Sequence, residues 1–487
     1  MRLSSQTCMA LPADVARPGY VRAGQRSGIV HLGIGAFHRA HQAVYTDAAL
    51  AAGDRDWLIT GVSLRSAQVR DALVPQDGLY TLAERANGTT RRRLIGSIAT
   101  VLVAPETPDA AIAALADPAT HIVTLTVTEK GYHRLPATGG LADADPAIAA
   151  ELRGGAPTTT LGLIAAGLAR RRADGAGGLT LLSCDNLSRN GRLLRGLMAE
   201  YLDARDPGLR AWAEDKVTYP DTMVDRIVPA VAPADLEGVA VALGLRDAAA
   251  ITTEPFHQWV IEDRFAGPRP RWELGGAQFV QDVQPFETAK LRLLNGSHSL
   301  LAYAGLALGL EHVADAVAHS ALGPLVQRMM RTESGPSIMP APGLDIPAYC
   351  TALLDRFRNV DLRHRLEQIA ADGSQKIAQR WLTTIIERAD AGLDSPIHML
   401  GVAAWIVHMR GHHGDGRPHA VSDPLADRCR LLWADGSHDV DRLTLRFVTD
   451  TGVFPAGFRD RPLLSTALAA TLRRWLEKGP AAAIAEI

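Results

Sequence analysis

Cysteine is scarce. The 487 residues hold only Cys8, Cys184, Cys350 and Cys429, far apart and never as a CxxC pair. This argues against a disulfide framework or a structural zinc site and points to a reducing compartment. Long apolar runs are also missing: the longest uncharged one, Leu300 to Leu310, is too short to span a bilayer. No basic stretch leads into an apolar run at the N-terminus, so no signal peptide is expected. An excess of either charge sign is absent as well. Lys and Arg total 51 against 53 Asp and Glu, a formal charge of −2, which gives no electrostatic reason for a nucleic acid or membrane partner. The expectation is a cytoplasmic protein whose partner is a small molecule.

Hydrophobic residues make up 47% and charged residues 21%, the balance of a globular chain with more than one core at this length. After an aperiodic start over residues 1–27, Gly28 to Leu32 (GIVHL) reads as a short buried strand. A turn at Gly33 and Gly35 and a helix from His38 to Ala52 follow. Trp57 to Leu64 is the next strand, His121 to Thr128 and Leu179 to Ser183 two more, the last two each preceded by an Ala-rich helical segment. Near-continuous apolar strands alternating with helices predict an α/β fold, a Rossmann-type doubly wound parallel sheet. Beyond Trp272 helical patterns dominate, over Ala289–Leu310, Leu325–Thr332, Pro347–Phe357, Ser374–Ala389, Leu400–Met409 and Pro462–Lys478. The domains are therefore drawn as 1–280, dinucleotide-binding, and 281–487, mainly α-helical. Gly411 to Pro418 reads as a loop.

Gly33-Ile34-Gly35-Ala36-Phe37-His38 sits between a strand and a helix, where glycines allow a tight turn and let a pyrophosphate approach the helix N-terminus. His38 stands where a third small residue is expected. The plain alternative is a βα turn without a ligand. An NAD site usually has an acid at the end of the second strand; here Ser63-Leu64-Arg65-Ser66 has none. Arg65 either faces a 2′-phosphate, favouring NADP, or is solvated, so the residues alone leave NAD and NADP both open. Thr128, Glu129 and Lys130 after one strand, and Asp185 and Asn186 after another, are candidates for the same crevice. The alternative is that Asp185, Asn186 or Ser188 caps the next helix.

The most suggestive segment is Lys290-Leu-Arg-Leu-Leu-Asn295-Gly-Ser-His298. At about 100° per residue, Asn295 lies about 140° and His298 about 80° from Lys290 around a helix. Reducing a ketone creates an alkoxide that needs a proton and hydrogen-bond support. A buried lysine suits the proton transfer, and Asn295, His298 and Asn186 suit the support. Residue by residue, a surface lysine, an Asn-Gly cap and a satisfied core histidine are the alternatives.

GIVHLGIGAFHRAHQAVYTD, TEKGY, SCDN, YPDTMVDRIVPA, EPFHQWVIED, KLRLLNGSHS and DGSQK together resemble the mannitol dehydrogenase family, polyol-specific long-chain dehydrogenases and reductases, over nearly the whole chain. The resemblance implies a metal-independent, NAD-dependent reaction. In it Lys290 is general acid/base, Asn295 and His298 polarise the carbonyl with Asn186 assisting, and Asp225 and Lys376 contact substrate hydroxyls. It also implies a monomer or weak oligomer acting on a sugar acid or polyol. FHRAHQAVY, EPFHQWVIEDRF, LRHRLEQIAADGSQKIAQR and SDPL are most similar to the uronate-reducing branch, which interconverts fructuronate and mannonate. Gln368 stands where mannitol dehydrogenases carry an arginine. A uronate carboxylate needs a cation, and Lys376, Arg363, His364 and Arg365 are the candidates; for the arginines the alternative is a solvated helix face. Two other readings compete. One is a zinc enzyme using His408, His412 and His413. The other is a dinucleotide-sensing regulator, for which an intact Lys290, Asn295 and His298 would have no use.

Overall fold

The structure, a computed structural model, describes residues 1–135, 138–412, 417–436 and 439–487. The chain divides into two compact units, Met1–Gln284 and Pro285–Ile487.

In the first unit six strands form one sheet: β1 (Ile29–Leu32), β2 (Ile59–Ser63), β3 (Ile98–Val103), β4 (Ile122–Leu125), β5 (Leu179–Ser183) and β6 (Val217–Thr218). Every neighbouring pair is parallel. The spatial order, β3-β2-β1-β4-β5-β6, is that of a doubly wound dinucleotide-binding sheet, with its reversal between β1 and β4. Ile29, Ile59, Ile122 and Leu182 join one apolar cluster, and Val30, Val62, Val123 and Leu181 join another. Successive side chains point to opposite faces, so the sheet is apolar on both. Helix Gln42–Ala51 supplies Ala43 and Val44 to the first cluster, and Thr160–Ala173 supplies Leu161 and Leu168 to the second.

The helix expected from His38 begins two residues earlier. It breaks at His41, whose φ of −126° and ψ of −90° separate Ala36–Ala40 from Gln42–Ala51. Beyond the four expected strands, β3 and β6 extend the sheet at its two ends. Two smaller three-stranded sheets were also not expected. Asn87 and Gly88, at φ 53° and 72°, close an antiparallel hairpin between Tyr80–Ala86 and Thr89–Ile95, the turn chemistry of a type I′ hairpin; Ile251–Thr253 joins its edge. Thr222–Asp225, Gln258–Glu262 and Gln278–Val280 form the other.

The second unit is helical. Helices Gly296–Ala307 and Pro396–His408 each bury ten consecutive residues, Gly296 to Gly305 and Ile397 to Ile406. A helix buried all round belongs at the centre of its domain, and Trp381, Trp405, Phe357 and Phe447 fill the same core. Three stretches are π-helical rather than α: Lys290–Asn295, Met329–Ser334 and Ala378–Leu382. Ala426–Gly436 and Val440–Asp450 are further helices that were not expected, the latter capped by Asp439, which accepts from the Arg442 amide. Among the described residues no helix is long and apolar enough to cross a membrane.

Candidate active site

The carboxyl edge of the sheet holds the glycine turn. Gly33 lies at φ 89°, and a Cβ there would stand 2.2 Å from the Thr126 carbonyl oxygen, so only glycine closes this turn. At Gly35 a Cβ would meet nothing nearer than the Gly33 carbonyl oxygen, 3.7 Å away; the backbone presents an open face. No side chain caps helix Ala36–Ala40, which leaves its first amides for an anion. Gly33, Gly35, Ala36 and Phe37, all half-buried, fit a pyrophosphate.

His38 follows in the same helix turn. It is 0% exposed and its ring stacks on His31 with centroids 3.4 Å apart. Its ring lies beneath the turn, where a third small residue is expected, while its backbone belongs to the first turn of helix Ala36–Ala40. His31 reaches the turn by another route. Its Nδ1 lies 2.7 Å from Thr124 Oγ1 and its Nε2 2.9 Å from Thr126 Oγ1, and the Thr126 hydroxyl donates to the Gly33 carbonyl oxygen at 2.9 Å. With that hydroxyl hydrogen committed, Nε2–H of His31 donates to Thr126. Burial pushes the pKa of His31 down to about 3 and that of His38 well below the usual value, so both rings are neutral.

Arg65 is exposed just past β2. Thr128, Glu129 and Lys130 are exposed past β4, with Glu129 ion-paired to Arg134. Asp185 does not take the capping alternative: its side chain is committed elsewhere. Its buried carboxylate accepts from the amides of Val127 (3.1 Å) and Thr128 (2.8 Å) and from the Tyr132 hydroxyl (2.8 Å). Burial nonetheless raises its pKa. The Arg189 side chain makes no capping bond at the start of helix Asn190–Arg205; Asn186 is exposed after β5. Asp225 is 6% exposed and ends the strand Thr222–Asp225, opposite Gln258.

In the second unit the segment from Lys290 to His298 departs from each modest reading. Lys290 is 8% exposed and therefore not a surface lysine. Asn295 has helical φ and ψ of −71° and −35° and makes no capping bond. His298 is 8% exposed, with its Nε2 buried and without a partner among the described residues. The 100° reckoning also fails here. Lys290–Asn295 is a π-helix, whose i→i+5 bonding widens the turn and brings residues five apart nearly into line. Lys290 and Asn295 thus share a face more closely than an α-helix would allow.

The His298 ring packs on Phe357 at 4.6 Å and edge-on to His364 at 5.4 Å. Burial first, then the neighbouring His364, Arg356 and Arg380, hold its pKa well below the usual value. The segment after DGSQK packs against this turn: Arg380 Nη1 donates to the Asn295 carbonyl oxygen (3.3 Å) and Trp381 Nε1 to that of Gly296 (3.2 Å). Lys376 Nζ donates to the Ala371 carbonyl oxygen at 2.5 Å, and burial lowers its pKa.

Arg363 is not on a helix face. It is exposed in a left-handed position at φ 45°, while Arg365 pairs with Glu311 and Glu367. Of the four cation candidates, His364 touches the His298 ring and Lys376 lies close to Arg380. Arg380 was not singled out, although its i+4 spacing from Lys376 was there to read. His412 is exposed, and His413 lies outside the described residues. Among the described residues no three His, Cys, Asp or Glu come together as a metal site.

An uncapped glycine turn on a doubly wound sheet, joined in one chain to a helical unit with buried lysine and histidine, defines a two-domain dehydrogenase. Known proteins agree. Residues 27–274 match the mannitol dehydrogenase Rossmann domain and residues 282–474 the mannitol dehydrogenase C-terminal domain. D-mannonate oxidoreductase of Escherichia coli (strain K12) is 45% identical over 417 residues, 84% of this chain and 86% of that one. Mannitol 2-dehydrogenase of Pyrenophora tritici-repentis (strain Pt-1C-BFP) is 40% identical over 448 residues, 90% of this chain and 78% of that one. The solved ternary complex of Pseudomonas fluorescens mannitol 2-dehydrogenase with NAD and D-mannitol has a TM-score of 0.85 at 35% identity, covering 100% of this chain and 99% of that one. The chain belongs to the mannitol dehydrogenase family and is an oxidoreductase acting on CH–OH groups.

Proposed function

We propose that the chain is an NAD(H)-dependent oxidoreductase that interconverts a ketone and a secondary alcohol of a sugar acid, fructuronate and mannonate. Lys290 is its general acid/base and no metal takes part. NAD supplies or takes the hydride when bound. Gly33, Gly35, Ala36 and Phe37 hold its pyrophosphate, and Thr128, Glu129, Lys130 and Arg65 lie on the same edge of the sheet. NAD rather than NADP is supported by the NAD complex of the Pseudomonas fluorescens relative.

In the reducing direction the Lys290 ammonium delivers its proton to the carbonyl oxygen and becomes a neutral amine; in the oxidising direction that amine takes the hydroxyl proton. Asn295 and His298 direct hydrogen bonds at the same oxygen, with Asn186 assisting, while Asp225 and Lys376 hold substrate hydroxyls. The observation that carries this reading is the buried Lys290 in one turn with Asn295, followed by an imidazole Nε2 that finds no partner among the described residues. A buried nitrogen in that state normally finds a partner, and a substrate oxygen is a suitable one. The 45% identity to a D-mannonate oxidoreductase supports the sugar acid. The 40% identity to a mannitol 2-dehydrogenase favours a polyol as the second reading.

The test is spectrophotometric. NADH should be oxidised faster with fructuronate than with fructose, and faster than NADPH is. Lys290→Ala should lower turnover by roughly 10²- to 10⁴-fold, the usual contribution of a general acid/base, while NADH binding persists. Near-normal turnover of that variant removes Lys290 from the mechanism. Equal or better use of fructose moves the assignment to a mannitol 2-dehydrogenase, and activity lost to a chelator and restored by zinc replaces the lysine mechanism with a metal one.

A further inference from the structure

We propose that Arg380 selects an anionic substrate: its guanidinium receives the carboxylate of a sugar acid beside Asn295 and His298. The inference rests on the oxidoreductase reading above and goes further, naming the residue that makes the substrate an acid rather than a neutral polyol.

Arg380 lies in the π-helical segment Ala378–Leu382, four residues after Lys376. Its Nη1 donates to the Asn295 carbonyl oxygen at 3.3 Å and to Ser299 Oγ at 2.6 Å. Both acceptors are neutral, and they flank His298. The remaining three N–H groups, on Nε and Nη2, have no partner among the described residues, yet neither atom is sealed in the interior. Arg380 is half-buried, and three buried arginines differ from it. Arg292 is held by Glu387 through two bonds of 2.6 and 2.8 Å, and Arg226 by Glu84 and the Glu254 carbonyl. Arg171 spends its donors on backbone carbonyls.

Lys376 adds a second positive charge one turn away, an i,i+4 like-charge pair that opposes helix formation. Asp372 and Asp423 offset part of the charge at Lys376, but the Asp423 carboxylate is turned to the Ser374 amide (2.8 Å), the Ser374 hydroxyl (2.6 Å) and the Leu425 amide (2.8 Å) and not to the guanidinium. The free Nε–Nη2 edge of a guanidinium is a planar fork that matches a carboxylate in bidentate fashion. A polyol offers only hydroxyls there and leaves the charge uncompensated. Arg363 is exposed and Arg365 is already paired with Glu367, so Arg380 is the best held of the three.

The experiment compares two probes that differ only at one end, D-mannonate and D-mannitol, oxidised with NAD by the full chain and by Arg380→Gln and Arg380→Lys. Losing a charge-assisted bidentate contact should raise KM for D-mannonate roughly 10- to 100-fold, with kcat changed less than about 3-fold. The penalty on D-mannitol should be smaller by at least about 10-fold. Lysine, a point charge without the fork, should recover part of the loss. Melting temperature and calorimetric titration with D-mannonate show whether each variant is folded and where binding is lost. Equal losses on both probes, or a D-mannonate KM that does not move, overturn the proposal. So does an unaltered protein that prefers D-mannitol, which leaves the oxidoreductase reading standing. A folded protein that oxidises neither probe sinks both.

Discussion

Thr128 has φ 64° and ψ 165°, a region that a residue with a side chain enters only at about 1–3 kcal/mol and only where its surroundings force it. Asp185 supplies that force. One carboxylate oxygen takes the Thr128 amide and the other the Val127 amide and the Tyr132 hydroxyl. Asp185→Asn keeps the shape but replaces one acceptor with an NH₂ group, so at least one donor loses its partner. Leaving such a group unsatisfied costs about 1–3 kcal/mol, and Thr128, Glu129 and Lys130 should lose their fixed positions. NADH affinity should fall roughly 10-fold with kcat at saturating NADH retained, as read by fluorescence titration beside steady-state kinetics. Unchanged affinity would show that this loop does not hold the cofactor. Asp185 marks where residue-level reading ends: its place after a strand was legible, but a cap and a ligand contact were the only roles weighed, because partners 57 and 58 residues away leave no local trace. The stacking of His38 on His31 was likewise not legible, because a strand-to-helix ring contact follows from the turn geometry and not from the motif. Lys290, Asn295 and His298 were legible because polar groups on an otherwise apolar helix must be accounted for.

Elements were readable where a single period governs them. Four buried strands and the long helices follow from apolar pattern, whereas a π-helical turn does not, since i→i+4 and i→i+5 bonding admit the same apolar spacing over six residues. The hairpin closed by Asn87-Gly88 carried the strongest local signal for its turn type and was nonetheless missed. The π segment Met329–Ser334 shows what such an element holds. Glu333, 2% exposed, accepts from the amides of Ile397 and His398 at the start of helix Pro396–His408, and its carboxylate lies 2.5 Å from His398 Nδ1. Ser334 Oγ stands 3.1 Å from the other nitrogen of that ring. Burial raises the Glu333 pKa, but the His398 contact and the two amides outweigh it and hold it below the usual value. Serine, histidine and carboxylate are linked as in a hydrolase, yet all three are buried, and the arrangement joins two helices instead. Glu333→Gln, which removes one partner of a buried pair, should destabilise the second unit by about 3 kcal/mol, measured by urea unfolding. A loss under about 0.5 kcal/mol would mean that the capping bonds alone carry the junction.

At the scale of the molecule, buried histidines set the response to acid. In the first unit burial lowers the pKa of His31 to about 3, that of His257 to about 4, and that of His38 well below its usual value; in the second it lowers those of His298 and His364. Unfolded, each returns to about 6.5. A histidine whose folded pKa is depressed takes up a proton on unfolding at any pH between the two values. Its contribution is therefore intact above about 6.5 and is lost as pH falls, by about 1.4 kcal/mol per pH unit for a fully buried group such as His31 or His38. The first unit carries the most strongly buried pair, so it should lose stability first between pH 6.5 and 5, before most carboxylates titrate. Calorimetric unfolding at pH 7.5, 6.5 and 5.5 would resolve this as a low-temperature transition that moves faster than its companion. His38→Phe keeps a ring against His31 and removes one titrating group, so the pH dependence of the first transition should flatten by about one proton. If the slope is unaltered, the ring is already protonated in the folded state. The stack beneath the Gly33 turn would then carry a charge, and that charge, rather than the helix amides alone, would have to be counted in any attraction for a pyrophosphate.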